Sequence, residues 1–186
     1  MKNWKSNRTI AIIVGILILV AYSMLTYDIS KNIELGAIAD ILSGLAVILI
    51  SLLMYPLFKK ENKQIINILY VTLRCIEGLL MIITGIFLLV PTFIHYRPFI
   101  YQYIHIYFFI FGALFFYFLL YTSEMLPKFI SIWGTVATII LFMVTIIKLF
   151  GIENQVLNIS LAPMILNELF LAFWLITKGF NKHQEV

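Results

Sequence analysis

Residues Ile65–Val90 form one continuous apolar run with Arg74 and Glu77 set in its middle. About 20 apolar residues suffice to cross a bilayer, so this run is long enough to span one. A charged pair at that depth is costly and must face protein or water rather than lipid. A lone membrane helix offers neither, so the run requires companions. The rest of the chain supplies them: 62% of the 186 residues are hydrophobic and only 12% are charged, far below the roughly 25% of a soluble domain.

Six runs read as membrane spans, at about 9–27, 35–57, 64–90, 101–122, 128–150 and 160–179. They are long and apolar on nearly every side, whereas barrel strands are short and alternate in polarity. The expected fold is therefore all-α, a polytopic bundle of six transmembrane helices in a single domain. Short connectors make consecutive helices antiparallel neighbours. The first run follows Lys2, Lys5 and Arg8 as a signal peptide would. However, it exceeds a typical apolar core of roughly 7–15 residues and no A-x-A site follows, so it reads as an uncleaved span.

Lys and Arg are distributed unevenly between the two sides. Lys2, Lys5, Arg8, Lys59, Lys60, Lys63, Lys128, Lys178 and Lys182 fall on one; Lys31, Arg97 and Lys148 fall on the other. The positive-inside rule then places both termini in the cytoplasm and the protein in the cell membrane. The net charge of +4 is explained by that orientation. No basic patch interleaved with exposed aromatics points to nucleic acid. Tyr22, Tyr27, Tyr55, Tyr96, Tyr101, Tyr103 and Tyr121 lie near span ends, where interfacial aromatics belong. Small or weakly polar stripes at helical spacing allow close helix packing: Gly36, Asp40, Ser43, Gly44 and Ser51 in the second span, and Ser131, Gly134, Thr135, Thr138 and Thr145 in the fifth. Pro163 lies in the first turn of the last span, with Ser160 as its expected N-cap.

Asp40, Arg74, Glu77 and Glu168 lie inside spans. A rise of 1.5 Å per residue puts Asp40 roughly 8 Å and Glu168 roughly 12 Å below the outer ends of their helices. Arg74 lies roughly 15 Å above the inner end of its own, with Glu77 one turn farther out. Those depths overlap, so one buried cluster is expected to hold all four, with His105 as a fifth member. Asn167 points about 100° away from Glu168, so only one of the two faces the cluster squarely. Three carboxylates against one guanidinium leave an excess of acid, which a retained proton would offset. Neither a metal nor a cofactor is expected. The chain has no H-E-x-x-H, C-x-x-C, G-x-S-x-G or phosphate-cradling loop, and His95, His105 and His183 have no metal-ligand spacing. Cys75, the only cysteine, reads as a small core thiol.

Several motifs occur together in order. They are Ala39-Asp40, then Leu73-Arg74-Cys75-Ile76-Glu77, then Leu126-Pro127-Lys128-Phe129, then Pro163 followed by Asn167-Glu168 and Trp174-Leu175-Ile176-Thr177-Lys178-Gly179. From about Arg8 to Gly179 the chain resembles the domain-of-unknown-function family numbered 4386. That resemblance implies a small multi-span bacterial membrane protein with no established activity. Where the family often has Arg-Trp after the proline, this chain has Lys128-Phe129.

The leading functional expectation is a carrier-like protein that binds a small molecule or a proton at the cluster, with Arg74 as carboxylate partner. Two alternatives stand beside it: an intramembrane enzyme modifying lipid, and a non-catalytic membrane subunit or regulator whose ion pairs are structural. The expected partners are membrane lipid, a small-molecule ligand and, since small bundles dimerise readily, a second copy of the chain.

Overall fold

The computed structural model describes residues 2–58, 63–152 and 154–181, and side chains from residue 7 onward. Lys59, Lys60, Lys182 and His183, and the side chains of Lys2 and Lys5, lie outside that description. Among the described residues the structure is helical, with no strand. Six helical segments are long and apolar enough to span a membrane: Asn7–Ser30, Ile33–Met54, Gln64–Leu89, Tyr96–Ser123, Lys128–Leu149 and Gln155–Thr177. They are called spans one to six below. In lipid every backbone polar group must be satisfied within the chain, and long apolar runs satisfy theirs as helices. Residues such as Ile38, Leu42, Leu45, Leu49 and Leu52 of span two stay exposed along one stripe, as a lipid-facing side requires.

The spans are arranged as a ring. Each packs against the next in sequence, and span six closes the circle against span one. Glycines set the closest approaches. A Cβ on Gly78 of span three would lie 2.6 Å from the Gly44 carbonyl oxygen of span two. A Cβ on Gly15 of span one would lie 2.7 Å from the Ala172 carbonyl oxygen of span six. Backbone cannot give way as a flexible side chain can, so these positions admit only glycine without helix displacement. In span five Ser131, Gly134, Thr138 and Thr145 of the small stripe are buried, and Gly134 receives the Tyr117 ring.

Three details differ from the sequence reading. Span one tightens into a 3-10 turn at Tyr22–Leu25 before resuming as helix over Thr26–Ser30. Span four begins at Tyr96 rather than Tyr101: a short helix, Tyr96–Ile100, runs into a π-turn, Tyr101–His105, before Ile106–Ser123. Span six is broken, with a short helix Gln155–Ile159 preceding the main segment Ala162–Thr177. The N-cap of that segment is Leu161, which makes no side-chain cap; Ser160 instead donates to the Val156 carbonyl at 2.9 Å, finishing the short helix before it.

The two ends of the bundle are distinct. Residues 55–58, 63 and 124–127 lie with Arg8 on one face; residues 31–32, 90–95, 150–152 and 154 lie with Arg97 on the other. Arg8 donates to the carbonyls of Ile176 (3.0 Å) and Thr177 (2.9 Å), the unsatisfied end of span six. Gly179, at φ +77°, turns the chain away there, and a Cβ on it would lie 2.6 Å from the Arg8 guanidinium.

Candidate functional site

The polar residues gather in two separate centres. The first begins on span three. Arg74 and Glu77, three residues apart, share a face, and Nη1 of Arg74 donates to Oε2 of Glu77 at 2.9 Å. The Arg74 stem crosses span four at Gly112, where a Cβ would lie 2.8 Å from Cδ. Its guanidinium rests 5.5 Å from the Phe109 ring centroid, and its buried Nε has no hydrogen-bond partner. His105, which the π-turn presents inward, places Nε2 3.8 Å from Oε1 of Glu77; that is beyond hydrogen-bond range, so Nε2 too is buried without a partner. Across the ring, the Tyr22 hydroxyl donates to Oε2 of Glu168 at 2.8 Å. Tyr22 is therefore interior, not interfacial: the 3-10 turn carries it inside the bundle. The buried Tyr70 and Tyr117 stand within Coulombic range of Arg74 and Glu168.

Arg74, Glu77, His105, Tyr22 and Glu168, but not Tyr70 or Tyr117, line a chamber of about 250 Å³ to which all six spans contribute. Ile18, Val47, Ile50, Met81, Phe109, Leu141, Met164 and Ile165 make most of its wall apolar, while Arg74, Glu77, His105, Tyr22, Tyr101 and Glu168 supply the polar part. A second cavity of about 230 Å³, lined by Gln102, Thr145 and Lys148 among others, adjoins it near the Arg97 face. The two share Tyr101, Ile106, Leu141 and Leu161 as a common wall. A larger groove of about 630 Å³ on the outside of spans three, four and five is lined by apolar residues and Thr135 and touches no ionisable group except Tyr121.

Asp40 does not join Arg74. It belongs to the second centre, built around Arg97, which sequence reasoning placed in a loop. Arg97 Nε donates to Oδ2 of Asp40 at 2.8 Å and Nη2 to Oδ1 at 3.1 Å, a two-pronged pairing. Nη2 also reaches the Met24 carbonyl at 3.0 Å, and Nη1 reaches Asp28 at 3.2 Å. The guanidinium lies between the rings of Tyr27 (4.8 Å) and Tyr101 (4.6 Å). Asp40 has no exposed surface and the Arg97 side chain only 4%, so this centre is closed. The physical reason is reach. Asp40 lies near the Arg97 face, and span four starts early enough to carry Arg97 over it, whereas Arg74 is already engaged one helical turn along its own helix.

Of the five residues expected in one cluster, Arg74, Glu77, His105 and Glu168 line the chamber, while Asp40 pairs with Arg97 instead. Sequence reasoning missed Arg97, Tyr22 and Tyr101 as interior residues. The available signal was the run Tyr96-Arg97-Pro98 with Tyr101 one turn on, beside an Asp in need of a cation at a similar depth. Asn167 faces span five, donating to the Ile130 carbonyl at 3.1 Å, while Glu168 faces the chamber. Cys75 is half-buried, 3.9 Å from the Ser51 hydroxyl.

The family model described as Domain of unknown function (DUF4386) matches residues 28–98 and 88–179. The chain belongs to this family. No curated protein and no solved structure matches it. The matched residues of this DUF4386 chain contain Asp40, Arg97 and the chamber's Arg74, Glu77, His105 and Glu168, but not Tyr22, which precedes them. Among the described residues no group of three His, Cys, Asp or Glu side chains is placed to hold a metal. Two carboxylates, a guanidinium, an imidazole and two phenols can together hold one polar head by hydrogen bonds and charge, with an apolar wall for the remainder of the molecule.

Proposed function

We propose that this multi-pass membrane protein is a carrier-like binding protein, whose central chamber takes up a small amphipathic molecule. One observation carries the reading: a mostly apolar chamber, lined by all six spans, into which Arg74, Glu77, His105 and Glu168 converge, with Arg74 Nε and His105 Nε2 unpaired. Buried polar atoms are normally satisfied; Tyr117 and Asn167 also keep one unpaired, so the weight falls on the convergence of these groups on one apolar chamber. A ligand carrying one hydrogen-bonding head would meet them, and apolar pockets with a few convergent polar groups are the usual form of small-molecule sites. The adjoining cavity supplies a route in from the Arg97 face, with Tyr101, Ile106, Leu141 and Leu161 as the partition.

The lysine distribution supports cytoplasmic termini in the cell membrane. Among the described residues Arg8, Lys63, Lys128 and Lys178 lie towards one face and Lys31, Arg97 and Lys148 towards the other. On that orientation the chamber lies in the outer half.

Ring-fluorinated phenylbutanol tests the chamber by fluorine NMR on protein in lipid nanodiscs. The expected result is a bound resonance distinct from the lipid-partitioned one, abolished by Leu141→Trp, which fills the chamber. A spectrum identical to that of empty nanodiscs refutes the reading, as does an unchanged one in the filled variant.

A further inference from the structure

Counted with both carboxyls ionised, the chamber's charges do not balance. Its wall carries one guanidinium, Arg74, against two carboxylates, Glu77 and Glu168; the imidazole of His105, counted neutral, makes no hydrogen bond at Nε2. Arg74 is committed by its 2.9 Å bond to Glu77 on the same helix. The partner of Glu168 is a phenol: Tyr22 meets Oε2 at 2.8 Å and has no second proton for Oε1. The second centre also sets one guanidinium against two carboxylates, but there Asp40 takes two donors from Arg97 and the remaining acid, Asp28, is 57% exposed to solvent. The surplus acid is thus at Glu168, on a wall that also presents the rings of Tyr22, Tyr101 and Phe109.

We infer that the chamber selects lipophilic cations, small molecules with a protonated amine on an apolar body, with Glu168 as the counter-ion. The inference rests on the binding reading above and names its ligand class. An ammonium supplies N–H donors to Glu168 Oε1, brings the wall to neutrality and faces aromatic rings that attract cations. A neutral alcohol supplies a hydrogen bond alone. A carboxylate doubles the excess negative charge, and the one guanidinium, though its Nε is unpaired, already has its charge matched by Glu77.

The test ranks three ring-fluorinated molecules of one shape, phenylbutylamine, phenylbutanol and phenylbutyrate, by fluorine NMR titration of the full chain in nanodiscs of neutral lipid. The amine is expected to bind about tenfold or more tighter than the alcohol, with the carboxylate weakest. Glu168→Gln keeps an acceptor for Tyr22 but no charge; it should bring amine and alcohol to within about twofold of each other. Tyr22→Phe removes the hydrogen bond but not the charge, and should preserve the amine's advantage. Alcohol or carboxylate binding as tightly as the amine overturns the inference and leaves the binding reading standing. An amine preference that survives Glu168→Gln does the same. No bound resonance for any of the three overturns both. If Glu168→Gln fails to accumulate, the wild-type ranking decides alone.

Discussion

Replacing Arg97 by Leu should be among the most damaging single changes in this protein. Asp40, with no exposed surface, would be left as a buried carboxylate facing the two tyrosine rings, and breaking one side of a buried ion pair costs about 3–5 kcal/mol. The Met24 carbonyl also loses its donor, about 1 kcal/mol more. Asp28 is 57% exposed and returns to solvent at little cost. The expected loss is therefore about 4–6 kcal/mol, since the stranded acid dominates. Arg97→Leu combined with Asp40→Leu removes both charges and should recover most of that loss, because apolar replacements of buried pairs are often neutral. Unfolding in mixed micelles with rising SDS fraction, followed by far-ultraviolet circular dichroism, measures all four corners of the cycle. A single change costing under about 1 kcal/mol, or a double change worse than the single, would refute the closed ion-pair reading.

Four further outcomes are expected. Gly78→Ala forces a methyl against the Gly44 carbonyl and should cost about 1–3 kcal/mol in the same unfolding assay. Gly112→Val should displace the Arg74 stem, lowering ligand binding in the nanodisc titration more than it lowers stability, since a flexible side chain yields where backbone does not. Arg8→Gln removes a charged cap from the last carbonyls of span six and should cost about 0.3–2 kcal/mol, with faster hydrogen exchange over Trp174–Gly179. In a Cys75→Ser background, Thr92→Cys in the exposed connection on the Arg97 face should react with a charged thiol reagent added outside intact cells, and Lys178→Cys only after the membrane is opened; the reverse pattern would invert the proposed orientation.

The spans and the Arg74–Glu77–His105–Glu168 neighbourhood were legible because depth follows from counting residues along a helix. Ionisable side chains at one depth in a small bundle have few places to go. Arg97 was not legible for the opposite reason. Hydropathy reads a charge at the end of an apolar run as the loop beginning there, and cannot see that two tyrosines and two acids make helix tolerable for a guanidinium. Tyr22 shows the same limit: a tyrosine near a span end scores as interfacial, and only the 3-10 turn, which carries no glycine or proline to announce it, sends it inward. Asp40 failed through competition. Two cations lay within range by depth alone, and the choice between them was made by rotation about the helix axis, which apolar-all-round helices leave undetermined.

Because span six closes the circle, the chamber wall is incomplete until the ribosome has released that helix. Until then the flank of span one that it covers has no partner. Arg8, Gly15 and Tyr22 wait for Thr177, Ala172 and Glu168, residues more than 140 positions downstream. The Tyr22–Glu168 bond is then a latch as well as part of the chamber wall, so chains stalled before the sixth helix would offer quality-control proteases an unsealed seam along the first.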